Sequence, residues 1–338
     1  MGVSTSAPEQ PHRRHRWCGW TAPVVVLAAA AGCSDSGHPP TIALGESNAM
    51  SVAAEALITT GRASSVLQLP TGAMGVATAV ASLAGPRLAA QATGADVVGG
   101  ALTTPCGVSG QTTTTTSGTT VSVAFHACRD GLGPQIDGTL QYTLRPSGSE
   151  SLPAALALSA TFDLTFTDGA LSVAESGGYD LVFQSMPNPG GSSLAFDVTG
   201  ARLTIRVAVA GIEADQLAIS DFDIGVTQLL TIPSQQREHF RYDIDSTRLA
   251  GRVAAVTTAD LGQILDGLDA HKFPYTGQIV VHGTGGTRLQ ITIIGDETFV
   301  PPSDQGQVEL QLDAGAGGFG PPIGVNWSAL TAQANAAR

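Results

Sequence analysis

From about Ala95 onward, apolar and polar residues alternate along the chain with a period of two. The clearest stretch is Ala154 to Thr167. Ala154, Leu156, Leu158, Ala160, Phe162, Leu164 and Phe166 fall on one side of it, with Ser159, Thr161, Asp163, Thr165 and Thr167 on the other. Successive strand side chains point to opposite faces, so this pattern predicts a strand with one buried and one wet face, as antiparallel sheets require. The same alternation returns in Val121, Val123 and Phe125; Leu140, Tyr142 and Leu144; Leu194, Phe196 and Val198; and Leu203, Ile205, Val207 and Val209. Further along it returns in Phe240, Tyr242 and Ile244; Leu289, Ile291 and Ile293; and Val308, Leu310 and Leu312. Gly138, Gly169, Gly200, Gly251, Gly277, Gly286 and Gly306 stand just before many of these runs. Glycine supplies the positive φ of tight turns, so each predicts a turn followed by a strand. The fold class is mainly β, with roughly ten to thirteen strands in one large antiparallel sheet. An open curved sheet, a sandwich and an incomplete barrel all satisfy the pattern.

Upstream of Ala95 the period is helical. Met50, Ala53, Ala54, Leu57 and Ile58 share one face ahead of Gly61, and Met74, Ala77, Val80, Ala81 and Ala84 share another ahead of Gly85-Pro86. Pro86 is placed to start a further short helix through Gln91. The 24 residues between Arg62 and Arg87 carry no charge, which raises a membrane span, but Gln68, Pro70 and several small polar residues interrupt them. A helical segment packed on the sheet is the better reading. Near Ala259 to Phe273 the spacing of Leu261, Ile264, Leu265 and Leu268 predicts a short helix between strands, and Trp327 and Leu330 are apolar residues suited to docking the tail. The organisation is a leader over 1–32, a flexible tether over 33–46, a helical segment over 47–94 and a β domain over 95–338.

The first 31 residues have the composition of a secretory leader, with Arg13, Arg14 and Arg16 followed by an uncharged apolar run too short to span a bilayer. The run closes on Ala30-Ala31-Gly32-Cys33, which resembles the lipobox of bacterial lipoproteins. That resemblance implies cleavage before Cys33 and acylation at its thiol and α-amino group. Two or three acyl chains hold firmly, since each buried CH₂ contributes about 0.8 kcal/mol. Ser34 after the cysteine implies, by the same resemblance, sorting to the outer membrane. The alternative is an ordinary secretory signal with Cys33 free.

Composition narrows the function classes. The 338 residues are 43% apolar and 13% charged, with a formal charge of −12, and the chain without residues 1–32 carries 13 basic and 27 acidic residues. Nucleic-acid binding is excluded on charge, because neutralising phosphates takes a concentrated basic surface. Anionic headgroups repel such a chain, so the lipid must supply the membrane anchoring.

With Cys18 in the leader and Cys33 as the lipidation site, Cys106 and Cys128 remain as a pair. In an oxidising compartment they are expected to form a disulfide. His126 and Cys128, two apart, raise a weaker zinc reading with Cys106, although no fourth ligand stands nearby.

Catalytic signals are sparse. Gly107-Val-Ser-Gly110 and His282-Gly-Thr-Gly-Gly286 approach a nucleophile elbow without completing one. His126, His239, His271 and His282 form no metal-binding motif, and the sole lysine, Lys272, precedes a proline turn. Asp221 and Asp223 on one expected strand, and Asp243 and Asp245 on another, would converge as calcium ligands if the strands were neighbours in register. No cofactor motif is present. The expected function is a non-catalytic binding or structural lipoprotein of the cell envelope with a protein or polysaccharide partner. A carrier or acceptor of amphiphiles is the first alternative. Outer-membrane lipoprotein-insertion factors are similar to it in outline, as an incomplete barrel capped by helices. An envelope hydrolase with an unrecognised site is the second.

Overall fold

The structure, a computed structural model, describes residues 40–57, 59, 101–145, 155–188, 191–230, 235–264, 274–295 and 307–336. The leader, Cys33, the predicted helices beyond residue 59 and the pair His271 and Lys272 lie outside the described residues.

Strands β1 (Ala101–Pro105), β2 (Ser109–Ser117), β3 (Thr120–Arg129) and β4 (Gln135–Arg145) come first. Four long strands follow: β5 (Ala155–Asp168), β6 (Leu171–Asn188), β7 (Gly191–Val209) and β8 (Ile212–Leu230). The rest are β9 (Gln235–Ser246), β10 (Gly251–Ile264), β11 (Thr276–His282), β12 (Arg288–Ile294), β13 (Gln307–Asp313) and β14 (Ile323–Asn326). Each pairs antiparallel with its neighbour in sequence, giving one open fourteen-stranded meander. A helix α1 spans residues 49–57, and α2 (Trp327–Ala336) follows β14.

The two faces of the sheet are opposite in character. One row of cross-strand partners runs Val123, Leu140, Phe162, Gly177, Leu203, Ile219, Ile244 and Val253. The next row runs Thr139, Asp163, Ser176, Thr204, Ala218, Asp245 and Arg252. A single core forms on the apolar inner face, shared with Val52, Ala53, Ala54 and Ala56 of α1 and Trp327 and Leu330 of α2. The alanines of α1 let its backbone approach the sheet closely, and the Tyr242 hydroxyl donates to the Ala56 carbonyl at 3.4 Å. The Asn48 carbonyl accepts the bond that opens this helix, from Val52 N at 2.9 Å, while its side chain ties down the preceding turn, Oδ1 accepting from Gly45 N and Nδ2 donating to Ala43 O.

Several expectations hold and several need correction. The alternation over 154–167 is, from Ala155 onward, β5 (Ala155–Asp168), with Leu158, Phe162 and Leu164 buried and Thr161 and Asp163 exposed. Trp327 and Leu330 are buried, as their composition suggested. Of the stretch 33–46, the described part packs rather than swings: Thr41 N donates to Arg252 O, and Leu44 is buried with its N–H on Thr287 Oγ1.

The predicted helix from Ala259 is, as far as Ile264, the end of β10. A bulge between Val256 and Leu261 breaks the alternation there and mimics helical spacing. Gly169 does lie in a turn, with φ 60°, but Gly138 and Gly200 lie inside β4 and β7, so the two strands expected around Gly200 are one. At Gly200 a Cβ would stand 2.3 Å from the Phe222 ring, so glycine there makes room for packing. Gly138 has φ 118°, and a Cβ on it would sit 2.0 Å from the Asp163 carbonyl oxygen. Gly138→Ala is therefore expected to lower unfolding free energy by about 2 kcal/mol or more, read as a shift of the urea midpoint.

Candidate functional site

Near one end of the sheet the described inner-face residues pass from buried to exposed. On successive rows toward this end, Leu164, Glu175, Ile205 and Leu217 are cross-strand partners, then Phe166, Val173, Val207 and Asp215. Phe166, Val173 and Val207 are half-buried, and one step further Leu171, Val209 and Ile212 stand exposed at the turns. The apolar surface thus runs from the core to an exposed rim, with Glu175 and the buried Asp215 as polar points within it. Deeper in, burial pushes the Tyr142 and Tyr179 phenols up, so both stay neutral on this face.

Beside the apolar face lies a buried charged cluster that joins α1 to the sheet. Arg248, in the β9–β10 turn, places Nη2 2.8 Å from Asp215 Oδ2 and Nη1 3.7 Å from Glu55 Oε2. Ser246 Oγ donates to Glu55 Oε1 at 2.9 Å, and Thr247 Oγ1 donates to Asp215 Oδ1 at 3.0 Å. Side-chain exposure is 9% for Arg248, 3% for Glu55 and 5% for Asp215. Charges this far from water persist only when paired, and here an arginine faces two carboxylates. The cluster is a clasp holding α1 in its seat.

A second clasp closes the β13–β14 turn. Asp313 Oδ2 accepts from Arg288 Nη2 at 2.6 Å, while Oδ1 accepts from Gly315 N and Gly317 N. The Arg288 hydrogen bond holds the Asp313 carboxyl below the usual carboxylate range, against the opposing effect of burial. The same guanidinium lies 4.9 Å over the Phe319 ring. His282, half-buried at the end of β11, is pulled below its ordinary value by burial and then by Arg288.

The residues singled out from sequence fall as follows. Cys106 and Cys128 form a disulfide with Cα atoms 5.5 Å apart, which consumes both sulfurs of the zinc reading. Ala127, with φ 49°, bulges out of β3 and reverses the alternation, so His126 is exposed while Cys128 is buried. Strands β8 and β9 are neighbours, yet register spreads the four aspartates. Asp221 sits in a bulge with φ 49° and Asp223 faces Arg241. Asp245 lies 3.3 Å from Arg252, and Asp243 is buried opposite Ser220. Arginines thus stand against two of these carboxylates. Among the described residues no group of three or more His, Cys, Asp or Glu is placed to hold a metal ion. His239 is exposed with its ring over Gly225. Ser109 lies at the β1–β2 turn and His282 at the β11–β12 turn, nine strands away.

Sequence reasoning missed the charged clasp and the rim. Glu55, the one charge between Glu46 and Arg62, was a usable signal for the first, and Leu132 between Gly131 and Gly133 for the second. Compared with known proteins, the chain matches no family model, no curated sequence and no solved structure at a significant level.

Proposed function

We propose that the protein is a lipid-anchored, non-catalytic binding protein of the bacterial cell envelope, tethered at Cys33 in the outer membrane. The observation that carries the binding reading is the apolar inner face that reaches an exposed rim at Leu171, Val209 and Ile212. These three residues are cross-strand neighbours and so form one exposed apolar patch rather than scattered single side chains. Export is supported by the Cys106–Cys128 disulfide, a bond that persists in oxidising compartments, and by the lipobox-like run ending at Cys33. The partner class is an envelope protein or polysaccharide. The half-buried Phe166, Val173 and Val207 beside the rim favour a second reading, a carrier of amphiphiles whose acyl chains lie along this face.

Cys33→Ala is expected to leave an uncleaved, mislocalised precursor that takes up no radiolabelled palmitate. Equal labelling of the variant would sink the anchor. Solvent extraction of the purified protein followed by mass spectrometry separates the two binding readings: co-purified lipid supports the carrier, and its absence counts against it.

A further inference from the structure

We infer that the β1–β8 rim is a membrane-contacting edge, its turn residues entering the interface of a zwitterionic bilayer. The inference rests on the membrane-anchored reading above and names the surface that the anchored body touches. Two observations carry it, the alignment of the turns and the residues at their tips.

The alignment comes from register. Ser109 faces Arg129, Cys128 faces Ile136, Gln135 faces Thr167, Thr167 faces Ser172, Ser172 faces Ala208, and Ala208 faces Glu213. The turns β1–β2, β3–β4, β5–β6 and β7–β8 therefore all spring from one straight row. The β5–β6 and β7–β8 turns are also bonded directly, Ala210 N to Ala170 O at 2.7 Å. Past β8 the rim falls back, because Leu217 rather than Glu213 faces Ser246, which sets the next turn about 13 Å behind.

At the tips of these four turns stand Val108 (61% exposed), Leu132 (99%), Leu171 (44%), Val209 (49%) and Ile212 (74%). Successive turns lie about 10 Å apart, two strands per hairpin. Leu171, Val209 and Ile212 are cross-strand neighbours and form one tip cluster, with Leu132 and Val108 standing about 10 and 20 Å further along the rim. A folded partner would need a matching pocket at each point, whereas a fluid interface receives apolar side chains at any spacing. Charge selects the lipid. Asp130, Asp168 and Glu213 are exposed on the same rim and outnumber Arg129, whose Nε donates to Gly133 O within the β3–β4 turn. Acidic neighbours oppose anionic headgroups and leave neutral ones as the compatible surface.

The test uses the full chain with single tryptophans introduced at the rim (Leu132→Trp, Ile212→Trp) or at the opposite end of the sheet (Thr119→Trp). Each is mixed with phosphatidylcholine vesicles containing brominated lipid, and quenching is read relative to the parent chain. The expected result is at least about twofold quenching at 132 and 212 and none at 119, weakening as phosphatidylglycerol replaces phosphatidylcholine. A chain that floats with vesicles while its rim tryptophans stay bright overturns the inference and leaves the lipid anchor standing. Rim quenching in protein that mass spectrometry shows to be unacylated does the reverse. Rim tryptophans that shift only on addition of an envelope protein extract assign the edge to a protein partner and overturn the lipid assignment. A chain that neither floats nor quenches ends both.

Discussion

Replacing Arg248 with methionine is expected to lower the unfolding free energy by about 3–5 kcal/mol, the cost of leaving buried carboxylates without their cation. Methionine keeps most of the aliphatic volume, so the loss reports on charge rather than on a cavity. Glu55 retains the Ser246 hydroxyl and Asp215 the Thr247 hydroxyl, but neither hydroxyl carries a charge to balance them. The urea midpoint of the variant measures the effect, and a loss below about 1 kcal/mol would mean that water reaches the clasp. The triple variant Glu55→Leu, Asp215→Leu, Arg248→Met completes the cycle. Apolar groups of similar size replace buried ion pairs at little cost, so it is expected to recover most of the stability lost by the single change.

Removal of the disulfide in a Cys106→Ala, Cys128→Ala chain is expected to cost about 3 kcal/mol, from the unfolded-chain freedom that a link across 22 positions suppresses. The effect is unevenly distributed. Strand β1 is exposed along its whole length and pairs with β2 through five residues, and the bulges at Gly110 and Ala127 interrupt the next ladder where the sulfurs join. Amide exchange in β1 and at residues 106–110 should accelerate before exchange in β5 to β8 changes. Uniform acceleration throughout the sheet would contradict a local staple.

Period-two alternation made the sheet legible because β3 to β5, β7, β9, β12 and β13 each bury one face. β2 escaped it. Thr112 to Thr116 is threonine on both faces, so nothing in the pattern separates buried Thr114 from half-buried Thr113 and exposed Thr115. Bulges hid other features, as at Ala127, Asp221 and beyond Val256, where an added residue reverses which side chains face inward. Gly200 read as a turn because its reason for being glycine, the Phe222 ring, lies on the next strand. The disulfide followed from cysteine arithmetic together with the expected oxidising compartment. The clasp did not, since Glu55, Asp215 and Arg248 meet only through register and helix docking, and no spacing rule connects them.

The meander pairs each strand with its neighbour in sequence, so strand pairing is local. Helix α1 instead docks at long range: its Glu55 reaches Ser246 across 191 positions and its Ala56 reaches Tyr242 across 186. Closing loops of that size is entropically dearer than folding a hairpin and slows the contacts that depend on it. Hairpins therefore zip up one after another, while the helix waits for β9. A chain delivered N-terminus first carries α1 without its seat through the passage of eight strands, and an escort that shields Val52 and its alanine neighbours during that interval would act on folding yield rather than on final stability.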